Sequence, residues 1–210
     1  MTLSSKTCID FIDVLGSKNP TPGGGAVAAL SGAMGVALSR MVCNLTVGKK
    51  KYEKYEEDIK IILARCIELE KSLLQLIDKD AENFMPLYNA YSLPRDTQEN
   101  KEQRNRLIEE GSKLACEAPI EIIKLCIETV KLHEELLDKG SKIVISDVGV
   151  GIQCLRAAII SARLNVLINL GAIKDEQYKN QIREEIDYIV EEAVKMCDKI
   201  YIKVEQEILG

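Results

Sequence analysis

A proline-bounded glycine triplet, Pro20-Thr21-Pro22-Gly23-Gly24-Gly25, leads straight into an apolar, small-residue stretch from Ala26 to about Val47. Consecutive glycines carry maximal unfolded-state entropy, so a stable fold keeps them where side chains cannot be accommodated. The prolines stiffen the approach and keep helix from forming across it. A helix beginning at the triplet would expose free backbone N–H groups and the positive end of its dipole, a seat for an anionic or polar group. Pro22, Gly23, Gly24 and Gly25 are therefore candidate ligand-contacting residues. A tight interhelical turn against a neighbouring backbone is the other reading of the same run. Gly48-Lys49 after a glycine-rich loop superficially resembles a phosphate loop, but the spacing G-x-x-x-x-G-K-[S/T] is absent and no strand precedes the glycines.

The helical period governs most of the chain. Tyr52, Tyr55, Ile59, Ile62, Cys66, Leu69, Leu73 and Leu76 step by threes and fours, as do Tyr178, Ile182, Ile186, Ile189, Ala193, Met196, Ile200, Val204 and Ile208. Only Lys142-Ile143-Val144-Ile145-Ser146 alternates, too briefly for a sheet. The reading is an all-α, single-domain multi-helix bundle spanning residues 1–210, with about seven helices. Gly16, Gly140 and Gly171 read as helix ends. Ser4 or Ser5 reads as the cap of the first helix, and Ser146 or Asp147 as the cap of a later one. Pro119 fits a first turn or a kink, and residues 94–105 read as a mobile polar connection. Two stretches, 26–47 and 148–170, are apolar nearly all round and rich in Ala, Gly and Ser, so they are expected to form the buried centre.

Polar residues on such buried helices are informative because each needs a partner. Asp147, Ser161, Asn165 and Asn169 fall along one face of the second central helix, and Arg40 and Asn44 sit at i, i+4 on the first. Asp80 and Glu82 precede Phe84-Met85-Pro86. Lys49-Lys50-Lys51 is a short basic cluster that reads either as a solvated turn or as an anion contact.

Composition narrows the function. Aromatics make up 4% of the 210 residues and there is no Trp, which argues against nucleobase stacking, and a net charge of −5 argues against a nucleic-acid binder. No secretory signal is evident at the N-terminus. The polar and charged residues within 26–47 argue against a membrane span, so a soluble cytoplasmic protein with no membrane partner is expected. The seven cysteines are scattered with no C-x-x-C pair, as reduced core thiols would be, and His133 is the one histidine. No metal site is expected. His133, flanked by Lys131, Glu134 and Glu135, reads as a solvated surface residue.

Taken together, Pro-x-Pro-Gly-Gly-Gly, Met41-Val42-Cys43-Asn44-Leu45-Thr46 and Gly48-Lys49-Lys50-Lys51-Tyr52 resemble the formiminotransferase-cyclodeaminase family of folate enzymes. So do Asp80-Ala81-Glu82-Asn83-Phe84 with Leu93-Pro94, Ala118-Pro119-Ile120-Glu121, Ser146-Asp147-Val148-Gly149-Val150-Gly151 and Asn165-Val166-Leu167-Ile168-Asn169. The pattern departs at Ala26, where a serine is common. The resemblance implies a homodimeric helical enzyme that acts on the one-carbon unit between N5 and N10 of tetrahydrofolate without a further cofactor. It implies either cyclodeamination of 5-formimidoyltetrahydrofolate with loss of ammonia, or hydrolysis of 5,10-methenyltetrahydrofolate to the 10-formyl compound. A non-catalytic folate-binding scaffold is the alternative of another class. Only the cyclodeaminase-type unit is matched, so no bifunctional transferase is expected. In this setting Asp147 is the first candidate for acid–base and electrostatic work and Asp80 the second. Arg40, Asn44, Ser161, Asn165, Asn169 and the glycine run are then substrate contacts, and Lys49 and Lys50 would meet the folate glutamate tail.

Overall fold

The computed structural model describes residues 2–210. Six α-helices are joined by short turns: α1 (Cys8–Leu15), α2 (Gly24–Asn44), α3 (Glu56–Tyr91), α4 (Gln98–Lys139), α5 (Ile145–Leu170) and α6 (Glu176–Leu209). Single turns of 3-10 helix lie at Leu3–Ser5, Lys50–Tyr55 and Lys142–Val144, and no strand occurs among the described residues. Start signals are local. Thr7, Thr97 and Asp175 accept from the backbone N–H groups of Asp10, Asn100 and Tyr178, capping α1, α4 and α6. For α1 the cap is thus Thr7, and neither Ser4 nor Ser5. Gly16, Gly140 and Gly171 stand at the ends of α1, α4 and α5, as the sequence indicates.

α2 and α5 run antiparallel, close enough that a Cβ at residue 35 would fall 3.0 Å from the Gly151 carbonyl oxygen. The Ser31 hydroxyl closes the same seam by donating to the Cys154 carbonyl at 2.9 Å. α3 and α4 pack on one side of this pair and α6 on α5. Ile59, Ile62, Cys66, Leu69 and Leu73 of the expected α3 stripe and Ile186, Ala193, Ile200 and Val204 of the α6 stripe are buried, joined by Ile77, Val190 and Cys197, whereas Leu76, Tyr178, Ile182, Ile189 and Met196 are half-buried and Ile208 is exposed. Each fully buried Ile or Leu contributes on the order of 1.5–3 kcal/mol relative to an exposed position.

Other expectations are corrected, beginning with the helix count, which is six and not about seven. Residues 94–105 are not one long connection, because α4 starts at Gln98 on its Thr97 cap. Pro119 starts no helix; it lies inside a continuous α4, and Pro86 likewise lies inside α3. The residue preceding α5 is Val144, with Ser146 and Asp147 in the first turn, because the 3-10 turn Lys142–Val144 runs directly into the helix. His133 is fully buried: it lies on the stripe Cys126, Val130, His133, Leu137, which points inward while Lys131, Glu134 and Glu135 occupy the other faces. Its Nδ1 lies 2.8 Å from the Ser39 hydroxyl, and burial lowers its pKa to about 4.

The central pair is buried on one side only. Val27 and Met34 of α2, Leu45 just after it, and Val150, Leu164 and Ile168 of α5 remain exposed. Both α2 and the stretch Lys142–Leu170 are long and apolar enough to cross a membrane by length and composition, yet 56% and 44% of their most apolar windows are packed inside the bundle. Soluble core helices with one open face satisfy the same description.

Candidate functional site

The glycine run opens a cavity of about 170 Å³ where α2, α3, α4 and α5 meet. Pro20, Thr21, Gly23, Gly24 and Gly25 form one wall, Asp80 and Phe84 of α3 a second, and Ala115 of α4 with Asn165, Ile168 and Asn169 of α5 the remainder. Gly23 precedes α2 in extended conformation with no side-chain cap, so the first N–H groups of the helix are available at this wall.

The Asp80 carboxylate stands against them, a negative group at the positive end of α2. Desolvation outweighs the pull of the nearby Ala26 N–H and raises the Asp80 pKa to about 6. An anion-binding N-terminus is thereby converted into a seat for a carboxyl group able to hold or release a proton near neutrality. Polar chemistry on the facing helix is complementary. Asn165 donates its Nδ2 to the Ser161 carbonyl and Asn169 donates its Nδ2 to the Ala115 carbonyl, each at 2.9 Å, which leaves both Oδ1 atoms as acceptors.

The glycines are required for space. None of the three has positive φ; among the described residues that conformation occurs only at Gly48 and Gly210. A Cβ at residue 25 would overlap the Asp80 carboxylate, and one at residue 24 would lie 3.2 Å from Asn165 Nδ2. At residue 23 nothing lies within 4 Å. The requirement therefore rises along the triplet.

The remaining sequence candidates lie elsewhere. Pro22 is buried behind the cavity, and Ser161 contributes its carbonyl to Asn165 without lining the space. Arg40 pairs with Glu70 of α3 at 3.2 Å instead of with Asn44, which is exposed at the end of α2. Lys49 and Lys50 border a second, open basin of about 430 Å³ with Gly48, Glu53 and Glu56, where the two glutamates offset the lysine charge. Lys49 donates to the Ser141 hydroxyl at 3.2 Å. Asp147 lies in the first turn of α5, about 27 Å along the helix from Asn165 at ~1.5 Å rise per residue. Within the chain, therefore, Asp80, the glycines, Asn165 and Asn169 form one group, and Arg40, Asn44, Lys49, Lys50 and Asp147 lie toward the other end of the α2–α5 pair. Ala115 and Ile168 escaped the sequence reading. Ala115 lies one turn before Pro119 and Ile168 one turn after Leu164, but neither carries chemistry of its own. Among the described residues no group of three His, Cys, Asp or Glu side chains is arranged to hold a metal ion.

The family model described as formiminotransferase-cyclodeaminase matches residues 7–188. The chain is 39% identical to the methenyltetrahydrofolate cyclohydrolase of Methylorubrum extorquens, over 97% of this chain and 98% of that one. It is 31% identical to the formimidoyltransferase-cyclodeaminase of Sus scrofa, over 91% of this chain but only 36% of that longer protein. The crystal structure of formiminotetrahydrofolate cyclodeaminase from Thermotoga maritima superposes with a TM-score of 0.82, covering 99% of this chain and 98% of that one at 29% identity.

Proposed function

Because this chain belongs to the formiminotransferase-cyclodeaminase family, we propose that it is a one-carbon folate enzyme, a formimidoyltetrahydrofolate cyclodeaminase, with Asp80 as its acid–base group. The observation that carries this reading is a carboxyl group with a pKa of about 6 in a cavity where Asn165 and Asn169 present free amide oxygens. Such a lining suits a cationic, N–H-bearing substrate.

In the proposed reaction the N10 lone pair attacks the amidinium carbon held on N5. The resulting tetrahedral carbon carries N5, N10 and the amino group. Asp80, ionised at the outset, removes the N10 proton and passes it to the amino nitrogen. The carbon–nitrogen bond then breaks, ammonia leaves, and the methenyl cation forms opposite a carboxylate that is again ionised. Charge is conserved throughout, and one group with a near-neutral pKa serves both proton transfers. Holding N10 against the N5 substituent supplies the orientation that a flexible folate lacks.

The 39% identity to a cyclohydrolase of nearly the same length favours a second reading. Water would attack the methenyl carbon, Asp80 would take one of its protons and pass it to N5 as the carbon–N5 bond breaks, and the second proton would leave the hydroxyl for solvent as the formyl C=O forms. Both reactions pass through a tetrahedral carbon between the same nitrogens. Assaying the purified protein with 5-formimidoyl- and 5,10-methenyltetrahydrofolate separates them, and turnover of neither would refute both.

A cavity of about 170 Å³ holds the reacting heterocycle and not a whole folate. The rest of the substrate would lie on the open apolar face of α2 and α5, which we assign to a cytoplasmic homodimer. If two copies pair with their α5 helices antiparallel, the Lys49–Asp147 end of one copy faces the Asp80 cavity of the other. That arrangement unites the two groups of candidate residues and places Lys49 and Lys50 where a glutamate tail would emerge. Sedimentation at micromolar concentration tests it: an active monomer would contradict the pairing.

A further inference from the structure

Pro119 stands in the middle of α4, where it has no N–H to donate. The carbonyl that this N–H would have reached is that of Ala115, one turn earlier. Ala115 is buried at the cavity wall, so a carbonyl left there without a donor would be costly. Asn169 supplies the donor: its Nδ2 lies 2.9 Å from the Ala115 oxygen. A carbonyl oxygen only accepts, so the nitrogen of the Asn169 amide must face α4 and its Oδ1 must face away.

We infer that Pro119 is a positioning residue for the site, one that withholds a helix hydrogen bond so that Ala115 can fix Asn169 with its Oδ1 presented to the substrate. The consequence is one of specificity. With the Asn165 amide held in the same sense by Ser161, and with the Asp80 carboxylate, the cavity offers acceptors at three side chains. These three side chains therefore suit a ligand edge rich in N–H donors, while a ligand lone pair is received only at the glycine wall, where the first N–H groups of α2 are free. A free Asn amide can present either end to a ligand; this one cannot turn without abandoning Ala115. The inference rests on the folate reading for the identity of the ligand, but not for the hydrogen-bond switch itself.

The experiment is a double-mutant cycle of Pro119→Ala and Asn169→Leu, read by melting temperature and by KM and kcat on both folates. Restoring the N–H at residue 119 gives Ala115 its helix partner and releases Asn169. Pro119→Ala should melt no lower than the parent and raise KM about fivefold, the equivalent of one neutral hydrogen bond, with kcat within about twofold. Asn169→Leu should lower the melting temperature clearly in the parent and much less in the Pro119→Ala background, since Ala115 is orphaned only when Pro119 is present. Pro119→Gln, which also restores the N–H, must behave in the same way. Equal melting losses in both backgrounds, or a KM unchanged by both Pro119 substitutions, would overturn the inference. A parent that turns over neither folate refutes the proposed reaction instead, and the melting cycle still decides the role of Pro119.

Discussion

Gly25 has no room for a side chain because the carboxylate of Asp80 occupies the place where its Cβ would stand. This exclusion joins the most conspicuous motif in the chain to the group proposed to do its chemistry. The missing side chain lets α3 bring a half-buried carboxylate against the first turn of α2, where desolvation raises its pKa.

The triplet should therefore respond in a graded way to alanine. Gly23→Ala meets no protein atom within 4 Å and should keep near-parental kcat, any effect falling on KM because Gly23 lines the cavity. Gly24→Ala pushes on the Asn165 amide, 3.2 Å away, and should raise KM several-fold, the effect of loosening about one hydrogen bond. Gly25→Ala displaces Asp80 and should reduce kcat about a hundredfold or more, the usual scale for losing an acid–base group. Steady-state kinetics of the three variants test the order, and equal effects at 23 and 25 would show the run to be a turn and nothing more.

Asp80→Asn should remove activity without weakening the fold. The folded-state pKa is raised, so Asp80 favours the folded state below its ordinary range near 4 and loses that contribution as pH climbs through about 6. At pH 7.5 the ionised group is a cost that asparagine does not carry. Melting curves should place the variant at or above the parent at pH 7.5, with the gap closing by pH 4. A clearly lower melting point at pH 7.5 would contradict the burial argument.

His133 acts in the opposite direction. Its pKa is lowered to about 4 by burial beside Ser39, so its contribution is complete above the ordinary value of 6.5 and is lost as pH falls toward 4. That loss amounts to about 2 kcal/mol by pH 5. Because Asp80 opposes it in an overlapping window, the comparison belongs in the Asp80→Asn background. Denaturant titrations at pH 7 and pH 5 should find His133→Gln less acid-sensitive by roughly that amount. Equal sensitivity would mean that water reaches the imidazole.

Much of this fold can be read from the sequence because burial and period coincide. Leu69, Leu73 and Ile77 of α3 and Ala193, Cys197 and Ile200 of α6 follow a helical step and all lie in the core. His133 was misjudged because three of its four near neighbours are charged, whereas the step from Cys126 through Val130 to His133 and Leu137 carries the true signal. The site was legible in part. Gly24, Gly25, Asp80, Asn165 and Asn169 stand together, since a glycine run and polar residues on apolar helices both require a partner. Grouping residues by helix face passes over their distance along the axis. Asp147 and Asn165 share α5 and the same motif grouping, yet a rise of ~1.5 Å per residue puts them at opposite ends. The role of Ala115 was equally hidden, because it arises from a hydrogen bond that Pro119 fails to make.

Asp147→Asn should accordingly leave kcat within about threefold of the parent, far from the loss expected of an acid–base group. In the antiparallel pairing proposed for the homodimer, its effect would fall on KM. Kinetics of this variant on both folates make the comparison. A hundredfold fall in kcat with KM unchanged would restore Asp147 as the catalytic carboxylate.

The pH dependence of kcat/KM for the parent and for Asp80→Asn tests the central claim most directly. On 5-formimidoyl- or 5,10-methenyltetrahydrofolate, the parent should lose activity as pH falls through about 6, because the base is then protonated before the first proton transfer. Asp80→Asn should keep at most about a hundredth of the activity and lack that acidic limb. A variant that retains the limb, or keeps more than about a third of the parental rate, would show that another group moves the protons.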